Sequence, residues 1–249
     1  STLPRQRSQS WPPCFPRLRS LWFCAGLLAA LSATASAQWL PIKGVNFAPE
    51  PTENAGEFLI IEYDLDVPDL SPLSPAYVFL RYSRDGGAHW QLVPGHLLRG
   101  DGHDLVTRSG RRTIIWWGSD QLGLSAEGVD LKISVRALRL VRVPGGAFVA
   151  KLQPGGGFDT SKSRIEEATL PTFYVAQCET TVGMYADYLD EVGPNGRGWN
   201  RLMANPERGG IRRGAAGKYT VVAGREHHPI NYVSWYEAQA FLDWCGLRL

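Results

Sequence analysis

The stretch YVFLRYSRDGGAHW, residues 77–90, predicts a β-strand followed by a tight turn. From Tyr77 to Ser83 the side chains alternate between two faces, because successive residues of an extended strand point in opposite directions. Asp85-Gly86-Gly87 then supplies residues that tolerate a positive φ, as a hairpin turn requires. The stretch therefore indicates a strand-and-hairpin unit of a β-rich fold.

Other β-rich runs recur at short intervals around this unit, separated by clusters of Pro, Gly, Asp and Ser. Such a cadence is typical of an immunoglobulin-like or fibronectin-like β-sandwich. We assign this sandwich to residues 38–139. The runs are Phe58 to Leu65, Tyr77 to Ser83, Trp90 to Val93, Arg112 to Trp117 and Val129 to Ala137.

The turn after Ser83 resembles the Asp-box, a Ser-x-Asp-x-Gly-x-x-Trp hairpin found in secreted β proteins. In this pattern the Asp85 carboxylate would cap turn amides while Trp90 covers the hairpin. The resemblance implies a folding device and no catalysis. Trp116 and Trp117 could stack a sugar, but neighbouring strand residues face opposite ways, so one of the two is expected in the core.

Three histidines, His89, His96 and His103, are spaced as one face of a helix would require for a metal site. Pro94-Gly95 and the segment 100–102 exclude a continuous helix there, and neither a cysteine nor paired carboxylates complete a ligand set. We predict no metal site from them.

Composition supports a folded protein. The 249 residues are 44% hydrophobic and 20% charged, with 27 glycines and nine each of Trp, Tyr and Phe, which favours strand-rich structure over disorder or a helical bundle. The formal charge is +2, and residues 38–249 hold 22 basic against 24 acidic side chains. This near-neutral body gives no reason to expect a nucleic-acid or anionic-membrane partner.

The first 37 residues read as a secretory signal peptide. Four arginines and no acidic residue precede the apolar run LWFCAGLLAAL at 21–31, and Ala35-Ser36-Ala37 offers a cleavage site. A retained membrane anchor is the alternative, although the apolar run is shorter than the roughly 20 residues that span a bilayer. We expect a secreted or periplasmic protein without a stable membrane span after cleavage.

Residues 140–249 combine short strands with two helices. LVRVPGGAFVA at 140–150 predicts two strands paired across Pro144-Gly145-Gly146. A strand at Phe173 to Cys178 precedes a helix that opens near Thr180 and stops at Gly193-Pro194. The apolar face of this helix comprises Val182, Tyr185, Leu189 and Val192.

The last predicted helix begins at Ser234, where Ser234 and Glu237 have the spacing of a capping box. Its expected buried stripe comprises Trp235, Ala238, Phe241, Leu242 and Cys245. Between the two helices, the basic segment 195–226 is interpreted as a solvated surface loop. Gly217-Lys218 is followed by Tyr219 rather than Ser or Thr, so no phosphate-binding loop is predicted.

Three blocks resemble the formylglycine-generating enzyme, or sulfatase-modifying factor, family. They are VPGGAF at 143–148, LPTFYVAQCETTVGMYADYLDEV at 170–192 and HPINYVSWYEAQAFLDWCGLRL at 228–249. The resemblance covers about residues 140–249, in the family's order. It implies an α/β domain with a C-type-lectin-like fold.

The resemblance also implies a range of functions. Similar proteins include copper-dependent oxidases that convert a sulfatase cysteine to formylglycine, iron-dependent sulfoxide synthases, and secreted relatives without known activity. Copper and calcium, and a protein or small-molecule thiol as substrate, are implied by the resemblance alone. The alternative is a non-catalytic lectin-like module that binds a surface ligand.

The family's catalytic region, with its copper-binding thiol pair, would follow Leu249, so we expect this chain to be the amino-terminal part of the domain. No catalytic, cofactor-binding or metal-binding residue is assigned within it. Cys178 and Cys245 match neither catalytic thiol and are interpreted as structural, with a free buried thiol as the default. A disulfide between them is the second interpretation and would contribute about 4 kcal/mol.

Overall fold

The structure is a computed structural model that describes residues 39–49, 58–102, 104–119, 123, 129–152, 164–193, 196–215 and 217–249. The predicted signal peptide and His103 lie outside these residues. The described residues belong to one compact unit, Ser36–Leu249. Among them, neither helix has the length and apolar character needed to cross a lipid bilayer.

The fold is mostly β, as the sequence predicts. Within the described residues, two four-stranded antiparallel sheets have the orders β1-β2-β6-β5 and β10-β7-β3-β4, and two hairpins, β8-β9 and β11-β12, accompany them. The strands are β1 (Ile42–Pro49), β2 (Phe58–Leu65), β3 (Ala76–Ser83), β4 (Gln91–Leu92), β5 (Leu98–Gly100), β6 (Gly110–Trp117), β7 (Lys132–Val143), β8 (Gly146–Leu152), β9 (Arg164–Leu170), β10 (Phe173–Ala176), β11 (Ile211–Arg213) and β12 (Tyr219–Val221). The helices are α1 (Val182–Val192) and α2 (Trp235–Cys245).

The first core lies between the two large sheets. Strand β2 alternates half-buried and buried side chains along its length, which is the period of a strand with one face on a core. Trp116 of β6 is fully buried in this core while Trp117 is 44% exposed, which confirms that one tryptophan of the pair is structural. The immunoglobulin-like topology of this region stays a prediction.

The second core lies between the other face of β3 and the two helices. Thr181 caps α1 by accepting a bond from the Met184 amide at 3.2 Å. The predicted capping box of α2 is confirmed, since Ser234 and Glu237 exchange both bonds. A hydroxyl at the N-cap position therefore fixes the start of each helix, and this signal lies in the local sequence. At the other end of α2, Gly246 has φ of 75°, and a Cβ there would lie 2.9 Å from the Tyr77 hydroxyl oxygen.

Strand β7 is longer than the sequence predicts and runs through the proposed boundary between residues 139 and 140. Its residues 132–139 pair with β3 and its residues 140–143 pair with β10. The predicted pairing of β7 with β8 across Pro144-Gly145-Gly146 is wrong. Phe173 of β10 occupies the place beside Val143, and β8 pairs with β9 instead.

Two further expectations need correction. Trp235 does not belong to the buried stripe of α2, because it is 64% exposed in the first turn, and Trp244 is buried in its place. The basic segment 195–226 is not simply a solvated loop. It contains a 3-10 turn, Arg201–Ala204, and the β11-β12 hairpin, which together bury Met203, Ile211 and Tyr219.

Candidate functional site

Four charged side chains and two indoles meet where the sheet contacts the helices. We call this group the charge cluster. Its members are Arg81 of β3, Arg136 of β7, Asp187 and Glu191 of α1, Trp244 of α2, and Trp39, which precedes β1. None of these contacts was predicted from the sequence.

Arg81 is the most enclosed cation of the charge cluster. Its Nε lies 2.6 Å from Oε2 of Glu191, with the two side chains 4% and 10% exposed. Its Nη1 donates to the Trp244 carbonyl at 2.9 Å and its Nη2 to the Trp90 carbonyl at 3.1 Å. The guanidinium also lies 4.6 Å from the centre of the Trp244 ring. Burial lowers the pKa of Arg81, and the neighbouring Glu191 opposes that shift.

Arg136 links the two carboxylates of α1. Its Nη1 bonds Oδ2 of Asp187 and its Nη2 bonds Oε1 of Glu191, both at 2.8 Å. The indole NH of Trp39 donates to Asp187 at 2.8 Å, and that of Trp244 donates to Glu191 at 3.0 Å. Both carboxylates are thus held by cations and indoles, an arrangement typical of a structural network rather than of a general base.

The two cysteines are not bonded to each other, so the proposed disulfide between them is absent. Cys245 is fully buried on α2, and burial raises the pKa of its thiol to about 12. The default interpretation of a buried thiol is therefore confirmed for Cys245. Cys178, after β10, is only half-buried, so the default was wrong in that respect.

The metals implied by the family resemblance do not fit the described residues. No group of three or more His, Cys, Asp or Glu side chains comes together within this part of the chain. Copper binds thiolates, and Cys245 is held in its protonated form by burial. Asp187 and Glu191 are already engaged within the charge cluster. No ligand set for copper or calcium can be named here.

The hairpin that resembles an Asp-box has the expected local structure. Asp85 accepts a bond from the His89 amide at 2.9 Å and from the Ser83 hydroxyl at 2.7 Å. A Cβ on Gly87, where φ is 103°, would lie 3.7 Å from the Trp90 ring. These contacts confirm the role of the carboxylate in the turn. His89 pairs with Asp85 at 2.6 Å rather than with another histidine.

A pair of aromatic side chains is exposed at the start of α2. Trp235 and Tyr236 are 64% and 74% exposed, and their rings lie 5.3 Å apart and nearly perpendicular. The turn before them is held by Asn200, whose amide donates to the Tyr232 carbonyl at 2.7 Å. Tyr232 has φ of 64°, an unusual value for a residue other than glycine. We call Trp235 and Tyr236 the aromatic pair.

Comparison with known proteins bears on the second half of the chain. Residues 132–249 match the family model of the sulfatase-modifying factor enzyme 1-like domain. The match begins at the first residue of β7 and includes both helices. It supports the family resemblance of these residues. No curated protein and no solved structure matches the chain.

Proposed function

We propose that this chain carries an exported thiol-oxidising domain of the sulfatase-modifying-factor type. The match over residues 132–249 supports the type of domain. The substrate would be a protein or small-molecule thiol, as the family resemblance implies. The basic leader, its apolar run and the Ala35-Ser36-Ala37 site support export to the periplasm or the medium.

We also propose that Cys178 and Cys245 are not the reacting thiols. The observation that carries this is the burial of Cys245, which is 0% exposed and has its pKa raised to about 12. The thiolate is the reactive form of cysteine, and almost none forms near neutral pH at such a pKa. Oxidation at a metal also needs ligands that converge on one site, and among the described residues neither Cys178 nor Cys245 belongs to a group of three or more His, Cys, Asp or Glu side chains that could hold a metal ion.

The test is mass spectrometry of a sulfatase-type cysteine peptide incubated with copper and oxygen. We expect the naturally produced protein to convert the peptide, and the double variant Cys178→Ser, Cys245→Ser to convert it as well. Conversion that is lost in the double variant would place the reaction at these thiols and refute the assignment. An inactive natural protein would refute thiol oxidation.

A non-catalytic lectin-like binding module is the second candidate. The exposed aromatic pair at the start of α2 favours it, since exposed aromatic faces can stack on sugar rings. An oligosaccharide array tests it with the wild type and with Trp235→Ala and Tyr236→Ala. Binding that both substitutions remove would favour this candidate, and no binding by the wild type would exclude it for the sugars on the array.

Export is tested by amino-terminal sequencing after expression in a secreting host with the leader intact. We expect Gln38 as the first residue of protein recovered outside the cytoplasm. A retained leader on protein extracted from membranes would support the anchor alternative instead.

A further inference from the structure

We propose that the strand-rich region before residue 132 is an obligate half of the fold around the sulfatase-modifying-factor-like residues, and not a separable adaptor. The core of the matched residues is completed by side chains from outside the match. These are Trp39, Tyr77, Phe79, Arg81 and Leu92. The proposal goes beyond the proposed function, because it concerns how the two regions fold and is tested without any activity.

Strand β3 is the element that the two regions share. Its side chains Val78, Leu80 and Tyr82 enter the first core, between the sheets. Phe79 points to the opposite face and packs in the second core with residues of both helices. A strand buried on both faces cannot form the surface of an independent sandwich without exposing one of its apolar faces to water.

The aromatic contacts of Phe79 show how closely the second core depends on this strand. Its ring lies 5.7 Å from the ring of Trp39 and 5.9 Å from that of Trp244. Tyr77, also on β3, donates its hydroxyl to the Cys245 carbonyl at 3.0 Å, at the end of α2. Residues outside the match therefore both pack against α2 and satisfy its last carbonyls.

The charge cluster connects the two regions through particular pairs of side chains. Arg81 lies outside the matched residues, while its partners Glu191 and Trp244 lie within them. Removal of one partner from a buried ion pair leaves an uncompensated charge, which costs far more than loss of an exposed pair. The helices would lose this partner if the two regions separated, and Glu191 would keep only Arg136, which also binds Asp187.

The experiment compares two Glu→Gln variants in the full chain. Glu191→Gln removes the carboxylate charge that faces both Arg81 and Arg136. Glu62→Gln makes the same change at an exposed pair within the first sheet, where Glu62 lies 2.7 Å from Arg111. Thermal unfolding and hydrogen exchange followed by mass spectrometry are measured for both variants and for the wild type.

We expect Glu191→Gln to lower the unfolding midpoint by about 10 °C, and Glu62→Gln by about 2 °C or less. In Glu191→Gln, faster exchange should appear together in β3, β7, α1 and α2, with one unfolding transition. Faster exchange confined to the helices, or two separate transitions, would overturn the proposal, since the strands would then be stable alone.

A milder variant keeps the proposal testable if Glu191→Gln does not fold. Tyr77→Phe removes the hydroxyl that binds the Cys245 carbonyl and retains the ring. We expect exchange to increase at the end of α2 and also in β3. Tyr174→Phe, at a half-exposed position of β10, is its control. A response of α2 without any response of β3 would count against a shared folding unit.

Discussion

Arg81 is the one charged residue in β3, a strand whose other side chains are apolar, aromatic or small. A lone arginine in such a strand was the only sequence signal for the charge cluster. Its partner Glu191 lies on a different element and far along the chain, so no local pattern could connect the two. The capping residues Thr181 and Ser234 were different, because each acts within its own helical turn.

Cys245 provides a prediction at the scale of a single residue. Because burial raises the pKa of its thiol to about 12, we expect iodoacetamide to leave Cys245 unmodified in the folded protein near neutral pH. Peptide mapping by mass spectrometry measures the labelling at each cysteine. The same protein in guanidinium chloride is the control, and there Cys245 should be modified. Rapid labelling without denaturant would contradict its burial.

At the scale of elements, the alternating runs and turn residues predicted most strands of the two large sheets, but they missed β1 and β5. Phe58–Leu65 has the predicted bounds, and the strand from Ala76 differs by one residue. The errors arose where the pairing of a strand or the exposure of a side chain depends on tertiary contacts. The partner of β8 depends on the position of β10, and the exposure of Trp235 depends on which face of the first helical turn meets the core.

The cap of α2 gives a prediction at this scale. Ser234→Ala should lower the free energy of unfolding by about 1 kcal/mol, because the Glu237 amide loses its acceptor. Urea denaturation of the full chain measures the change. Ser234→Thr keeps a hydroxyl at the same position and should remain within a few tenths of 1 kcal/mol of the wild type. Equal losses in both variants would show that the hydroxyl is not the stabilising group.

At the scale of the whole molecule, the described residues form three layers, and the sheet β10-β7-β3-β4 is the central layer. The sheet β1-β2-β6-β5 covers one face and the helices cover the other. From the sequence we predicted strands followed by a mixed α/β region, and we interpreted these two regions as consecutive modules. A pattern that alternates along one strand cannot show that both faces of that strand are covered, which requires knowledge of the layers on each side.

This arrangement encloses several groups that would release a proton only in the unfolded chain. Burial raises the pKa of Cys245 from 9.0 to about 12, and it raises that of both Tyr77 and Tyr188 from 10.0 to about 12. Above about pH 9 the unfolded chain therefore binds fewer protons than the folded protein, so the free energy of unfolding must fall as the pH rises.

We expect the urea midpoint to decline from about pH 9 and more steeply above about pH 10, where each group contributes about 1.4 kcal/mol per pH unit until its folded pKa is reached. Tyr77→Phe should make the decline shallower above about pH 10, because Phe cannot ionise in either state. A midpoint that stays constant from about pH 8 to about pH 11 would contradict the enclosure of these groups, since the protons would then be released equally from both states.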